Sequence, residues 1–207
     1  MAPATAPHPK KLRVLGVDPA VAGATGYGIV EFHGASPRLL RFGALKLPAR
    51  ATFAARLREI HGMVSRLVAE FAPDAVAVES VFTALNARTA LRLAEVRGVV
   101  LLAAAQAHVP AHSYSPREVK ASVAGYGGAS KQQMQQMVGS LLGMARSPEP
   151  ADAADALAVA LCHAQSAQAC ERMAAATAPR PTPIISSRPT GQRGSRRRAT
   201  RIQGWQR

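Results

Sequence analysis

Acidic side chains are scarce in this chain: 12 Asp and Glu stand among 207 residues, against 26 Lys and Arg, for a formal net charge of +14. Cysteine is scarcer still. Cys162 and Cys170 lie eight apart with no CxxC and no second pair, which excludes a disulfide framework or a zinc cage and leaves inert, reduced thiols. Long apolar runs are missing too. The longest, "GVVLLAAAQAHV" from Gly98, falls short of the ~20 residues a membrane-spanning helix needs. The opening "MAPATAPHPKK" has no apolar centre to act as a secretory signal, so a cytoplasmic protein is expected. No internal repeat is visible, and a chain of this length with 48% apolar residues suits one substantial core.

What is abundant is positive charge, and it is unevenly spread. From Ala174 onward there are eight arginines and no acid, which leaves +6 for the rest. Such a balance favours a polyanionic partner, nucleic acid ahead of an anionic membrane surface. Residues 1–11, rich in proline, and 175–207, rich in Pro, Gly, Ser and Arg, read as disordered flanks. The folded body is expected over 12–174.

Inside that body, "LRVLGVD" (12–18), "TGYGIVEF" and "RLLRFGALKL" read as strands, with "HGASP" turning between the last two. The segment 51–71 sets Phe53, Leu57, Ile60, Val64, Leu67 and Phe71 at the spacing of an amphipathic helix. "DAVAVE" is another strand, 86–108 a long helix and "VPAHSY" a further strand. "SPRE" at 115–118 and "SKQQ" at 130–133 carry the capping signals of helix starts. Strands first paired and then alternating with helices predict an α/β sheet with helices packed against it.

The few acids sit in conspicuous places. Asp18 ends "VLGVD" and Glu79 ends "AVAVE", and a carboxylate withdrawn from water without a partner costs several kcal/mol. Each has a plainer reading, Asp18 as a turn residue before Pro19 and Glu79 as a solvated side chain. Asp152 and Asp155 fall within one helical turn of "EPADAADALAVALC", where capping and the helix dipole would also suit them. Gathered together, these acids would make an all-oxygen site for hard divalent cations, which can clamp the attacking and leaving oxygens of a phosphodiester.

The succession "LGVDPAVAGATGYG", "VESVF", "LNARTALRLAEVRG", "PREVKASVAGYGGASKQQMQQMV" and "DAADALAVALCH" resembles the RuvC family of bacterial Holliday-junction resolvases, within the ribonuclease H-like superfamily. It covers 12–165. The resemblance implies a mixed five-stranded sheet flanked by helices on both faces, and makes Asp18, Glu79, Asp152 and Asp155 the metal-binding acids. Two Mg2+ per site are implied, with Mn2+ as a substitute, and symmetric nicks leaving 5′-phosphate and 3′-hydroxyl ends. Phe82 becomes the aromatic that stacks on an unpaired base, against core packing as the plainer reading. Lys120 and Lys131, otherwise solvated helix charges, become phosphate-holding residues. The implied partners are four-way junction DNA, a second copy in a homodimer, and the RuvA–RuvB branch-migration machinery. The helix over 86–108 is the candidate dimer surface, with core burial as its competitor.

The chain departs from the pattern at Ala20, where the family usually has glycine, and the turn from Asp18 to Thr25 is one residue longer. Were a positive φ needed there, alanine would cost about 1 kcal/mol or force another backbone path. Ser80 and Ala94 replace an expected Gln and Gly. Two rival functions share some features: an actin-like nucleotide phosphotransferase, through the Asp-Pro turn into a strand, and a branched-DNA binder that does not cut. His163, eight residues after Asp155, is read as a helix-face histidine.

Overall fold

The computed structural model describes residues 11–80 and 86–177. Five strands, β1 (Lys11–Asp18), β2 (Ala24–His33), β3 (Ser36–Lys46), β4 (Ala75–Glu79) and β5 (Ala111–Tyr114), form one sheet in the order β3-β2-β1-β4-β5. The first three pair antiparallel, and β4 and β5 run parallel to β1. The β2–β3 turn is tighter than the five residues expected. His33 and Ser36 already pair, because Gly34 takes a left-handed φ of 60° and closes a two-residue hairpin.

Five helices complete the fold: α1 (Phe53–Phe71), α2 (Ala87–Gln106), α3 (Pro116–Ala124), α4 (Lys131–Leu141) and α5 (Ala151–Thr177). Their starts follow the local chemistry. Thr52 and Asn86 cap α1 and α2 through their side-chain oxygens. Ser115 with Glu118, and Ser130 with Gln133, form reciprocal capping boxes at α3 and α4, satisfying amides that no helical partner reaches.

Alternation along the strands divides the core in two. Leu15, Val17, Ile29, Val76 and Val78 point to one face, where they meet Ile60, Val64 and Leu67 of α1 and Val96 and Val100 of α2. Val14, Val30, Phe32 and Ala77 point to the other, against Val119, Met134, Val138, Leu157 and Leu161 of α3, α4 and α5. Helices therefore cover both faces, as expected. The central helix is α5, buried along Ala156–Ala164, because an alanine-rich helix that is apolar all round is stable only inside.

At the end of the sheet where β1 begins, a buried carboxylate is fully engaged. Glu31 is 4% exposed. Its carboxylate accepts from Arg13 Nη2 at 2.6 Å and lies 2.8 Å from Lys11 Nζ and 3.0 Å from His33 Nε2. Arg13 also donates to the Phe71 carbonyl, tying β1 to the end of α1. Hydrogen bonds from Lys11 and Arg13 pull the Glu31 carboxyl down to about 2. Because its folded value is depressed, the stabilisation is present above the unfolded carboxylate value of 4.5 and is lost as pH falls toward 2. Glu31→Gln should cost roughly 1–3 kcal/mol at pH 7, read from urea midpoints, and the difference from the parent should shrink on acidification through that window.

Candidate active site

Strand alternation also aims the acids. Asp18 follows Val14 and Gly16 in phase, and Glu79 follows Ala77, so both strand-end carboxylates belong to the face that α5 covers. Val17 pairs with Val78 in parallel register, which sets Asp18 and Glu79 at adjacent ends of neighbouring strands. Ser80 N–H donates to the Tyr114 carbonyl at 2.8 Å, holding the end of β4 onto β5.

The other two acids arrive with the helix. α5 lies against β1 and β2 at positions that have no side chain: a Cβ on Gly16 would overlap the Ala156 carbonyl oxygen, and one on Gly26 the Asp152 carbonyl oxygen. Gly26 is the register partner of Asp18, so the backbone of Asp152 rests directly beside the strand pair that carries Asp18. The first-turn amides of Ala153 and Ala154 donate to the Pro150 carbonyl, and Asp155 Oδ2 lies 2.9 Å from Lys131 Nζ. Asp155 is thus paired across the cleft with Lys131 and is not a cap.

The loop from β1 to β2 settles the question raised by Ala20. The left-handed residue is Gly23, with φ 85°, and Ala20 is not among the positive-φ residues; alanine is unstrained there. The longer loop is anchored by Arg56, which is 9% exposed and donates Nη1 to the Gly23 carbonyl at 3.0 Å. Ala20 N–H approaches the buried Thr25 hydroxyl at 3.4 Å.

The electrostatics record how closely the acids interact. Burial, then Glu79, Asp155 and Asp152, push the Asp18 carboxyl up to about 8, with Lys131 opposing. Glu79 is raised by burial and by Asp155, while Lys120 and Lys131 hold it down. A cleft of about 220 Å³ opens beside them, lined by Glu79, Asp155, Lys120, Lys131, Val119 and Met134. Of the seven expected site residues, Glu79, Asp155, Lys120 and Lys131 line this cleft, and Asp18 and Asp152 lie near enough to interact with its charged groups. The seventh, Phe82, lies outside the described residues. Among the described residues no group of three or more His, Cys, Asp or Glu is positioned to hold a metal ion. The donor set nonetheless fits a hard cation. It is all oxygen, neighbouring acids raise Asp18 and Glu79, and Mg2+ prefers a few carboxylates completed by water and phosphate.

His163 stands apart from this chemistry. It is 6% exposed, with its ring 4.5 Å from that of His112 and Nδ1 2.8 Å from the Tyr114 hydroxyl. Burial, then His112, lower it to about 4, so it is neutral at physiological pH and fastens α5 to β5. Sequence reasoning missed two contributors. The glycine seat under α5 had a weak signal in "LGVD" and "TGYG". Arg56 had a better one, since it occupies an apolar phase of α1, four residues before Ile60.

A carboxylate cluster across the ends of two parallel strands and the start of a central helix, on this mixed five-stranded sheet, defines a ribonuclease H-like protein built for phosphodiester chemistry. The family model for the crossover junction endodeoxyribonuclease RuvC matches residues 14–163, and the chain belongs to the RuvC family. It is 48% identical over 161 residues to RuvC of Chloroflexus aurantiacus, covering 78% of this chain and 98% of that protein. RuvC of Idiomarina loihiensis is 46% identical over 167 residues, 79% of this chain and 93% of that one. Among solved structures, Thermus thermophilus RuvC in complex with Holliday junction substrate is similar at a TM-score of 0.72 and 36% identity, covering 77% and 96% of the two chains. The yeast mitochondrial Holliday junction resolvase Ydc2, at 14% identity and a TM-score of 0.53, shares the fold.

Two outcomes follow from this geometry. With the folded Asp18 value raised above its unfolded 3.8, its contribution to stability is complete below pH 3.8 and is lost as pH rises through about 8. In EDTA near pH 8.5, Asp18→Asn should therefore melt above the parent, by roughly 2–4 °C for each kcal/mol of strain relieved, with the gap closing at pH 4. Gly26→Ala should do the reverse, displacing α5 at a cost of about 1–3 kcal/mol or more, with nuclease activity falling further than the folded fraction measured by circular dichroism.

Proposed function

We propose that this protein resolves four-way DNA junctions by metal-dependent hydrolysis, with Asp18, Glu79, Asp152 and Asp155 as its metal-holding acids. The observation that carries the reading is the placement of Asp18 and Glu79 at adjacent ends of β1 and β4 beside the start of α5, where burial and neighbouring acids raise both carboxyls. Carboxylates crowded at one cleft repel DNA, a repulsion that divalent cations held by Asp18, Glu79, Asp152 and Asp155 would offset. Mg2+, or Mn2+ in its place, would supply Lewis acidity and charge compensation for water attack and for departure of the 3′ oxygen. Two ions per site suit the number of acids.

The chain's own residues do the rest. Asp18, central to the cluster, is the acid best placed to be shared. Lys120 and Lys131 line the cleft beside Glu79 and Asp155 and hold the phosphate flanking the cut, Lys131 exchanging its bond to Asp155 for one to DNA. Phe82, three residues after Glu79, stacks on an unpaired base at the crossover. Products carry 5′-phosphate and 3′-hydroxyl ends.

A junction has near two-fold symmetry, so two sites in an isologous dimer would nick strands of like polarity together. The exposed stripe of α2 supports such a dimer. Val100, Ala103 and Ala104 enter the core, while Leu91 and Leu102 are 66% and 51% exposed with Gly98 exposed between them, an apolar face of the kind a second copy covers. The protein would act in the cytoplasm with the RuvA–RuvB machinery. Among the described residues no helix is long and apolar enough to cross a membrane.

The test is an immobile synthetic four-way junction with Mg2+. Paired, symmetric nicks near the branch are expected, with none in EDTA, and Asp18→Asn should retain the junction while cutting at least 100-fold more slowly, in the range that loss of a metal-positioning group produces. Retention without products by the parent protein would identify a non-cleaving binder. Cutting by Asp18→Asn at the parental rate would remove Asp18 from the site.

A further inference from the structure

We propose that Tyr126, with the hollow beside it on α3 and α4, is a nucleobase site that takes an unpaired base of the strand passing Lys131. The site rests on the reading of Lys131 as a phosphate-holding residue and goes beyond it, because neither the acids nor the cleft lysines belong to this hollow. Tyr126 lies in "GYGG", the connection from α3 to α4. It is 50% exposed, yet its ring is held in place. The hydroxyl donates to Gln133 Oε1 at 2.9 Å, and the same oxygen accepts from Ser130 N–H at 2.9 Å. The ring is thereby fixed to the capping box at which Lys131 begins α4. An uncovered aromatic that is already held has little conformational freedom to lose when a base stacks on it.

The neighbouring glycines keep the surroundings open. Gly125, with φ 84°, ends α3 and donates its N–H to the Ala121 carbonyl. A Cβ on Gly127 would fall 2.7 Å from Arg117 Cγ, and one on Gly128 would lie 3.6 Å from the Tyr126 ring, so the Arg117 stem and the ring both lie close over this glycine pair. A hollow of about 190 Å³ adjoins them, lined by Ala124, Tyr126, Gln133, Gln136 and Met137, the last 38% exposed. Its chemistry is that of a base pocket. The aromatic ring and thioether meet a flat π face, and two side-chain amides offer donors and acceptors to a base edge. No carboxylate is among the described residues that line it. Around it, residues 116–147 carry Arg117, Lys120, Lys131 and Arg146 against one acid, Glu118, whose carboxylate is engaged by Ser115 N–H at 2.7 Å. That balance favours a nucleic-acid strand as the occupant. Lys131 and Met137 are separated by about 9 Å along α4 at ~1.5 Å per residue, the reach of roughly three nucleotides at ~3.4 Å each.

The experiment measures four-way junction binding in EDTA by the full chain and by Tyr126→Ala, Tyr126→Leu and Tyr126→Phe, first with intact DNA and then with single abasic sites placed in turn near the branch. Tyr126→Ala and Tyr126→Leu should bind the intact junction roughly 5- to 100-fold more weakly, the range for one base stacked on an aromatic ring. Tyr126→Phe, which keeps the ring, should stay close to the parent. One abasic position should weaken the parent by a comparable factor and cost Tyr126→Ala nothing further. All four proteins should bind fully paired duplex alike, and in Mg2+ Tyr126→Ala should raise KM while keeping kcat. Parental junction affinity in Tyr126→Ala would overturn the proposal. So would a loss in Tyr126→Phe as large as that in Tyr126→Ala, which would make the bond to Gln133 the cause, or abasic losses that add to the Tyr126→Ala loss at every position. Unchanged DNA binding with altered sedimentation of Tyr126→Ala would overturn it in favour of a contact between two copies. The non-additive pattern in a protein that makes no nicks would uphold the base site while sinking the catalytic reading.

Discussion

The close approach of α5 to the sheet is the constraint on which the site depends. Gly16 and Gly28 are cross-strand partners, and Gly26 is paired with Asp18. All three lack the side chain that would otherwise hold the helix at ordinary helix-to-sheet distance. With the Asp152 carbonyl resting over Gly26, the first turn of α5 is brought to the ends of β1 and β4. A helix standing off by even the thickness of a methyl layer would carry Asp152 and Asp155 away from Asp18. Alanine supplies the other half of the fit. Ala153, Ala156 and Ala160 leave α5 slim enough to be buried on several sides at native density.

That proximity creates an electrostatic load at one pole. Asp18 is driven far from its ordinary ionisation by burial and by three other acids, with Lys120 and Lys131 only partly relieving the group. The opposite pole is the reverse case. Glu31, 4% exposed, is surrounded by Lys11, Arg13 and His33 and is held far below the usual carboxylate range. The same kind of group is thus satisfied where the fold is anchored and unsatisfied at the proposed site, the pattern expected when stability is spent to preorganise a charged site.

Much of this was legible in order along the chain. Caps at Ser115 and Ser130 act within three residues, and the apolar period of α1 within a few turns, so both could be read locally. Asp18 and Glu79 were visible as acids closing apolar runs, and the alternation of their strands aims them to one face. The separation of Asp152 and Asp155 admitted capping as easily as a site, and only the folded chain brings Lys131 to Asp155. Ala20 suggests strain only if the loop's positive φ falls on it; Gly23 carries that φ instead. Arg56, tethering that loop from 33 residues away, has no local signature beyond a charge at an apolar phase.

What the amino-acid order determined by itself is the set of elements, their faces and the inventory of acids, since propensity, periodicity and capping are short-range effects. Tertiary structure alone decided that acids from β1, β4 and α5 come near enough to raise Asp18 and Glu79, that α2 divides between core and an exposed stripe, and that α5 ends at the pole opposite to where it begins. Those outcomes depend on the distance between elements far apart in the chain. That distance is set by which side chains are missing where helix meets sheet, a quantity that packing fixes and spacing along the sequence does not.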